Sequence, residues 1–339
     1  MHKNSMNSNI ISKNDGAVQT VTGTIHPNEL GYCQSHEHLF LADGPIARKY
    51  PALRLDDLEA TCAELELYRN IGGRSVVDAQ PVGCSRMADL HLLASKRTGI
   101  KVIASTGFHK LIFYPKEHWI HQMDSDHLTQ LFTQEIEKGM YVRCDDSKPS
   151  EQINAKAGVI KTASDEQGPG GEYEKLFHAA ANTAVKTGLT VLSHTEMGKC
   201  ALEQIRFFSE YHIAPESIVI CHLDRVLTDM QYLMEVASTG VYLELDTIGR
   251  PKYHSDEDEA RFIAKLVDNG HENQILLGLD TTRERMRSYG GAIGLDYMLT
   301  SFLPLLRSFG IDNDIIGKFT ISNPAMAFSI KTHNQKGEQ

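Results

Sequence analysis

The sequence has few of the features that mark a membrane protein, a disulfide-rich secreted protein or a nucleic-acid-binding protein. None of its apolar runs approaches the roughly 20 residues needed to cross a bilayer, and its first residues lack the apolar core of a signal peptide. Its six cysteines are scattered and form no Cys-x-x-Cys pair, which favours reduced thiols in a cytoplasmic protein. A formal net charge of −10 argues against nucleic acids and anionic membranes as partners.

Sequence motifs of several common enzyme classes are also missing. No Gly-x-Gly-x-x-Gly follows the first predicted strand and no Walker A motif occurs, which argues against an open doubly wound nucleotide-binding sheet. No Gly-x-Ser-x-Gly occurs either, so a serine nucleophile of that kind is not expected. The composition is otherwise ordinary for a globular protein, with 41% hydrophobic and 23% charged residues among 339.

Short β-branched runs alternate with longer amphipathic segments along the chain. The predicted strands are Tyr32–His38, Arg74–Asp78, Lys101–Thr106, Ala157–Thr162, Thr190–His194, Ser217–His222, Val241–Asp246 and Gln274–Asp280. The predicted helices are Leu55–Asn70, Met87–Thr98, His127–Gly139, Glu172–Thr187, Cys200–Tyr211, Thr228–Thr239, Asp256–Asn269 and Tyr297–Phe309. This alternation indicates a parallel sheet, and eight strands close a (β/α)8 TIM barrel. An open doubly wound α/β sheet is the alternative.

One domain is expected. Residues 17–332 are assigned to the barrel, preceded by a short β extension at Val18–Pro27. Residues 1–16, rich in Asn, Ser and Lys, are expected to form a flexible tail, and residues 333–339 a second tail. No internal repeat or low-complexity linker is evident.

His36 and His38 form the most informative short motif. Residues i and i+2 of a strand project to the same face, so the two imidazoles point together and Glu37 points away. Two adjacent imidazoles can bind one divalent metal ion. The pair alone is a weak signal in a chain with 16 histidines, and a polar strand end is the alternative interpretation.

Other predicted strands end in residues of similar chemistry. Lys161 is at the end of the fourth strand, His194 of the fifth, His222 of the sixth and Asp280 of the eighth. The C-terminal ends of barrel strands meet at one rim, where the catalytic residues of such enzymes lie. Taken singly, the lysine suits an exposed strand end, the histidines suit hydrogen-bonded core positions, and the aspartate suits a helix cap.

This combination resembles the phosphotriesterase-like family of the amidohydrolase superfamily, over nearly the whole chain. The segments that carry the resemblance are Ser35-His36-Glu37-His38-Leu39, Ala157-Gly158-Val159-Ile160-Lys161, Ser193-His194-Thr195, Cys221-His222-Leu223-Asp224, Leu279-Asp280 and Ser322-Asn323-Pro324-Ala325. The resemblance implies two divalent metal ions, with zinc expected. It implies that His36, His38 and Asp280 hold the more buried ion and that His194 and His222 hold the other. Lys161, carboxylated by CO2, would bridge the two ions.

The resemblance also implies a reaction class. A pair of metal ions lowers the pKa of a bridging water and polarises the substrate oxygen. The resulting hydroxide attacks an ester-like bond, and Asp280 accepts its proton and passes it to the leaving oxygen. A binuclear metal-dependent hydrolase is therefore expected.

The loops after the seventh and eighth strands carry a basic cluster, formed by Lys252, Arg283, Arg285 and Arg287. Such a cluster beside a metal site suits an anionic substrate, and a solvated loop paired with Glu284 or Asp256 is the alternative. Lys252 and Arg283 match the residues that hold phosphate in the family branch with sugar-lactone and phosphofuranose lactonases. The tyrosine of that branch is replaced by Met286, so Tyr289 is the expected substitute. His109, after the third strand, is expected to line the cavity without binding metal.

The leading hypothesis is a lactonase for a small, anionic or phosphorylated, sugar-derived lactone. A phosphotriesterase or an amidase using the same site is the second hypothesis. A catalytically inactive metal-containing binding protein is the third, and the complete ligand set argues against it. Relatives are often dimers, so the resemblance allows a homodimer, although no interface is visible in the sequence.

Overall fold

The protein folds around an eight-stranded parallel sheet, seen in a computed structural model that describes residues 16–331. Its strands are β1 (Cys33–Glu37), β2 (Ser75–Asp78), β3 (Lys101–Gly107), β4 (Val159–Ala163), β5 (Val191–His194), β6 (Ile218–Cys221), β7 (Tyr242–Leu245) and β8 (Ile275–Leu277). Strands consecutive in this series are neighbours in the sheet, and each neighbouring pair is parallel. Each predicted strand is therefore present, with ends that differ by up to three residues.

The first and last strands meet and nearly close the barrel. The hydroxyl of Ser35 donates to the carbonyl of Leu277 at 2.9 Å, and the amide of Asp280 donates to the carbonyl of His36 at 2.9 Å. Gly278 makes this approach possible, because a Cβ there would lie 2.8 Å from the Cβ of His36. The predicted (β/α)8 barrel is confirmed, and the open sheet is wrong.

Helices follow the strands in the order expected for such a barrel. The longer ones are α1 (Leu58–Asn70), α2 (Ala88–Thr98), α3 (Ser125–Glu137), α4 (Glu174–Thr187), α5 (Ala201–Glu210), α6 (Met230–Ser238), α7 (Asp256–Asp268) and α8 (Leu303–Ser308). Shorter helices are Pro45–Lys49, Trp119–Gln122, Asn313–Gly317 and Asn323–Ala327. Within the described part of the chain, no helix is both long and apolar enough to cross a bilayer.

The N-terminal end of the barrel is covered by the two ends of the described chain. Val18–Thr20 and Gly23–Ile25 form an antiparallel hairpin, as predicted. Val18 and Phe328 share an apolar cluster with interior residues of the strands, including Cys33 and Cys221. Apolar side chains fill this end of the barrel. In barrels of this kind the catalytic residues lie at the opposite, C-terminal rim. The predicted tails lie outside the described residues apart from Gly16.

A buried ion pair gives a test of the packing around the barrel. Arg86 and Glu135 are both at most 4% exposed, and their side chains are joined by hydrogen bonds of 2.9 and 2.5 Å. Glu135→Ala leaves the guanidinium buried without its partner, so we expect the free energy of unfolding to fall by about 3–5 kcal/mol. Urea denaturation measures it. Glu137→Ala, at an exposed position of the same helix, should change it by less than about 0.5 kcal/mol. Equal losses in both variants would contradict this prediction.

Candidate metal centre and substrate cavity

The six predicted metal ligands meet at the C-terminal rim of the barrel. They line one cavity of about 190 Å³ and come from five different strand ends: His36 and His38 from β1, Lys161 from β4, His194 from β5, His222 from β6 and Asp280 from β8. The structure thus places all six of them together, as the sequence pattern predicts.

One group of ligand atoms surrounds Asp280. Its Oδ1 lies 3.3 Å from Nε2 of His38 and 3.9 Å from Nε2 of His36. The donor atoms of these three residues lie within 4.8 Å of one another, which is close enough for a shared metal ion. Nζ of Lys161 lies 3.4 Å from Nε2 of His36. The lysine therefore stands at the edge of this group.

A second group of imidazoles lies beside the first. The ring centres of His194 and His222 are 4.4 Å apart, and those of His36 and His222 are 4.9 Å apart. His36 therefore connects the two groups. Four histidines in a continuous cluster, with one lysine and one aspartate, can supply ligands for two metal ions.

The protonation states of the histidines suit metal binding. Burial lowers the pKa of His194 to about 3 and holds the pKa of His36 and His222 well below its ordinary value. These imidazoles are therefore neutral at pH 7, and the neutral form is the one that binds metals. Nε2 of His194 is buried without a hydrogen-bond partner, with Oε2 of Glu196 3.5 Å away. A nitrogen that lacks a partner in this way is available to a metal ion.

The surroundings of Lys161 fit a carboxylated lysine. The side chain is 1% exposed, and His36 is the one hydrogen-bond partner of its Nζ among residues 16–331. An ammonium buried with no carboxylate within 4 Å is costly. Reaction with CO2 would turn this group into an anion with two oxygens, which suits a position between two cations.

The backbone at two ligands is held in an unusual conformation. His222 has φ 64° and Asp280 has φ 46°, both in the left-handed region. This conformation costs a residue other than glycine about 1–3 kcal/mol and is most frequent at functional sites. At Asp280 it turns the chain out of β8 directly after the amide that closes the barrel. The eighth strand was predicted to continue to Asp280, but it ends at Leu277 in the structure.

Asp246 is an important residue that the sequence analysis did not select. Its Oδ1 lies 2.6 Å from Nδ1 of His222, and its Oδ2 lies 3.4 Å from Nδ1 of His36. One carboxylate thus orients two imidazoles, as partners behind metal ligands commonly do. The available signal was its position as the last residue of the predicted seventh strand.

Glu37 has the structural role implied by its orientation away from the histidine pair. It is fully buried, and its two carboxylate oxygens accept the amides of Leu279 at 2.9 Å and Thr281 at 3.3 Å. These bonds fix the segment that carries Asp280 against β1. The alternation of side chains along β1 therefore directs His36 and His38 into the cavity and Glu37 toward the backbone that carries Asp280.

Two arginines also contact Asp280, and neither was selected from the sequence. Nη2 of Arg225 and Nη2 of Arg250 each lie 3.1 Å from its Oδ2. Burial alone would raise the pKa of this carboxyl, but Arg250, the hydrogen bond from His38 and Arg225 together hold it well below its usual range. The carboxylate is therefore ionised, with Oδ1 facing imidazoles and Oδ2 facing guanidiniums.

Comparison with known proteins gives this arrangement a family. Residues 16–328 match the model of the phosphotriesterase family. The chain belongs to this family. A phospho-furanose lactonase from Mycoplasmopsis synoviae (strain 53) is 31% identical over an alignment of 326 positions that covers 93% of this chain and 92% of that protein. A lactonase structure from Listeria monocytogenes has a TM-score of 0.85 at 30% identity, covering 93% of this chain and 100% of the other.

Less similar relatives have another substrate in their names. The N-acetyltaurine hydrolase of Danio rerio is 26% identical over 357 residues, covering 93% of this chain and 99% of that protein. The predicted family is thus confirmed. The chain is a hydrolase of the phosphotriesterase family.

Two of the four predicted substrate-binding residues, His109 and Lys252, line cavities at the C-terminal rim. His109 lines the ligand cavity, with its ring 5.5 Å from that of His194. Lys252 lines an outer cavity of about 650 Å³. The two cavities adjoin each other, because Lys110, Phe113 and Arg250, among others, line both. Lys252 is therefore placed to contact the outer part of a bound molecule.

Arg283 and Tyr289 are not brought to either cavity. The guanidinium of Arg283 lies 5.1 Å from the ring centre of Tyr289 and donates to the carbonyl of Arg54. The hydroxyl of Tyr289 is hydrogen-bonded to Thr61 and to the backbone of Asp57. Tyr289 thus holds the loop after β8 against the start of α1, and Arg283 holds it against the segment before that helix.

Arg285 and Met286 take different positions in the same loop. The guanidinium of Arg285 lines the outer cavity and donates to the carbonyls of Ile248 and Gly249. Met286 is fully buried in the core. Sequence position alone did not predict which arginine faces inward, because the loop has no regular period.

Proposed function

We propose that this hydrolase is a lactonase for a small, anionic, sugar-derived lactone, with a phosphorylated five-carbon lactone as the favoured substrate. The observation that carries the proposal is one cavity with six potential metal ligands beside two guanidiniums. Relatives named phospho-furanose lactonase, which match over nine-tenths of the chain, support the same reaction.

The ligand atoms fit two divalent metal ions, with zinc as the expected metal. The residues proposed to hold one ion are His36, His38 and Asp280, those proposed for the other are His194 and His222, and carboxylated Lys161 is proposed to link the two. When bound, such ions supply Lewis acidity and make water acidic enough to attack at neutral pH.

Asp280 is the proposed proton carrier. Its carboxylate is ionised and faces the imidazoles, so it can orient the attacking water and take up a proton at Oδ1. It then gives the proton to the alkoxide that leaves when the lactone ring opens. Arg225 and Arg250 keep the carboxylate anionic before the reaction, and they lie where the new carboxylate of the product can be bound.

The dimensions and charge of the cavity favour a small substrate with an outward-pointing anion. The inner volume of about 190 Å³ suits a five-membered ring with few substituents. The outer cavity is lined by the cations Lys110, Arg250, Lys252 and Arg285 and by one carboxylate, Glu284. A phosphate on the far end of the ring would therefore reach a positively charged region while the ester bond stays at the ligands.

The direct test is proton release from zinc-loaded protein with pentono-1,4-lactones, each with and without a 5-phosphate. We expect turnover of the phosphorylated form with a kcat/KM at least tenfold above that of the neutral form. Turnover of neutral lactones alone would refute the phosphate preference. Absence of turnover with either form, in protein shown to hold two metal ions, would refute the lactonase.

An amidase for a short anionic amide is the second candidate. The observation that favours it is the closeness of Arg225 and Arg250 to Asp280. Two guanidiniums at this position could bind a compact anionic group of a substrate close to the bond that is cleaved. The relatives named N-acetyltaurine hydrolase also fit such a site. N-acetyltaurine tested beside the lactones distinguishes the two, because the amidase requires the amide to be the better substrate by kcat/KM.

Lys252→Ala tests the anionic part of the substrate. We expect the KM for the phosphorylated lactone to rise about tenfold, which corresponds to about 1.4 kcal/mol, and the KM for the neutral lactone to stay within twofold. Steady-state kinetics measure both. Lys138→Ala removes the same charge from an exposed position outside the cavity and should change neither. An equal rise for both lactones with Lys252→Ala would contradict the anion-binding role.

A further inference from the structure

A second group of buried ligand-type residues lies outside the proposed catalytic centre. It consists of Asp224 after β6, His254 after β7 and Glu259 in the first turn of α7. The potential ligand atoms of these residues all lie within 4.8 Å of one another. Asp224 and Glu259 are fully buried, and the imidazole of His254 is 9% exposed. The group joins the segment after β6 to the loop after β7 and the start of α7.

The carboxylates of this group lack hydrogen-bond donors. Both oxygens of Glu259 and Oδ1 of Asp224 are buried without a hydrogen-bond partner. The other oxygen of Asp224 accepts the amide of Thr247 at 2.6 Å. Among residues 16–331, no lysine or arginine nitrogen lies within 4 Å of either carboxylate, and His254 gives the one ion pair. Buried carboxylates with so few partners are costly unless a cation is bound.

One imidazole cannot satisfy these acceptors. Nε2 of His254 lies 2.6 Å from the carbonyl of Asp224, 3.2 Å from Oε2 of Glu259 and 3.2 Å from Oγ1 of Thr247. A single N–H can donate well to one of these three oxygens. Nδ1 lies 3.0 Å from the carbonyl of Ser255. With a cation bound to Nε2, the ring proton would lie on Nδ1 and be donated to that carbonyl, as metal-binding histidines commonly do.

We propose that Asp224, His254 and Glu259 form a third cation site, separate from the catalytic centre, for a divalent first-row transition metal. One imidazole nitrogen with two carboxylates suits Zn²⁺ or Mn²⁺ better than Ca²⁺ or Mg²⁺. The carbonyl of Asp224 and the hydroxyl of Thr247 are at hand as further oxygen ligands. The site is reachable, because His254 also lines an open surface cavity of about 620 Å³.

A cation at this site would fix the positions of the two loops that carry Arg225 and Arg250 of the substrate cavity. Arg225 follows Asp224 directly, and Arg250 lies in the loop that ends at His254. Glu259 would supply the ligand from α7. The ion would thus hold the loops after β6 and β7 together without contacting the substrate.

Anomalous scattering from crystals of the full-length protein grown with MnCl2, together with the metal content in solution, tests the site. We expect three manganese ions per chain, with one anomalous peak among Asp224, His254 and Glu259. Glu259→Gln keeps the shape of the side chain and should lower the affinity for this ion at least tenfold. Glu257→Gln, in the same turn but exposed, should retain it.

The wild-type crystal decides the question even if Glu259→Gln fails to fold. No anomalous peak at these residues in 1 mM MnCl2 would overturn the proposal, as would a third ion bound equally well by Glu259→Gln. Lys161→Ala separates this site from the catalytic centre. That variant should still bind one ion, and combination with Glu259→Gln should abolish it. Loss of this ion in Lys161→Ala alone would also contradict a separate site.

Discussion

Asp280→Asn should lower kcat about 10³-fold, within the range expected for removal of a general acid–base group. The amide keeps the shape of the side chain and can still offer an oxygen to a metal ion, but it cannot take up and release the proton. The ion pairs of Asp280 with Arg225 and Arg250 become hydrogen bonds to a neutral amide. We therefore expect a large loss in kcat together with nearly full zinc content.

The measurements are steady-state kinetics on the best lactone and zinc content by mass spectrometry. Asp126→Asn is a matched control, since it removes one carboxylate at an exposed position of α3 and should leave kcat unchanged. A kcat within tenfold of the wild type for Asp280→Asn would refute the proton-carrying role. A loss of zinc in proportion to activity would assign Asp280 to metal binding alone.

Lys161→Ala should have the second large effect, on metal binding itself. The lysine is buried beside His36, at the position proposed to link two ions. Removing a partner behind a ligand already costs about 10–100-fold in metal affinity, so loss of the linking group should cost more than about 100-fold. Hydrolysis should fall with the zinc content, and both should return in part when acetate or propionate is added.

The control variant is Lys156→Ala, which lies just before the same strand and should keep zinc and activity. Zinc content and kcat measured with and without added carboxylic acid test the assignment. A Lys161→Ala protein with two bound zinc ions and normal kcat would refute the linking role. Restoration by chloride as effective as that by acetate would show that the added anion does not act as a bidentate substitute.

The fold could be predicted because the hydrophobic pattern, the segment lengths and the order of strands and helices all indicate the same barrel. Strand and helix patterns alternate eight times, and most of the expected boundaries lie within one or two residues of those in the structure. Strands buried on both faces are short apolar runs, which are easily recognised. The hairpin formed by Tyr141–Val142 and Glu151–Gln152 was not predicted, because two-residue strands have no period to detect.

The convergence of the six proposed ligands in one cavity could be predicted, because the C-terminal ends of barrel strands meet at one rim. His194 and Lys161 were placed by strand position alone. Asp246, Arg225 and Arg250 were missed for a different reason. These three side chains contact the proposed ligands from neighbouring loops. Such contacts depend on the path of each loop and on residues with a left-handed backbone conformation, such as His222. The same dependence explains why Arg283 and Tyr289 lie away from the cavity.

The central claim is that six side chains at the rim hold two metal ions through a carboxylated lysine. The most direct test is a crystal structure of zinc-loaded protein grown with bicarbonate, with anomalous data at the zinc edge. We predict two zinc peaks, one near His36, His38 and Asp280 and one near His194 and His222, with carboxylate density on Nζ of Lys161. A single peak at the rim, or an unmodified amine beside two ions, would contradict the account.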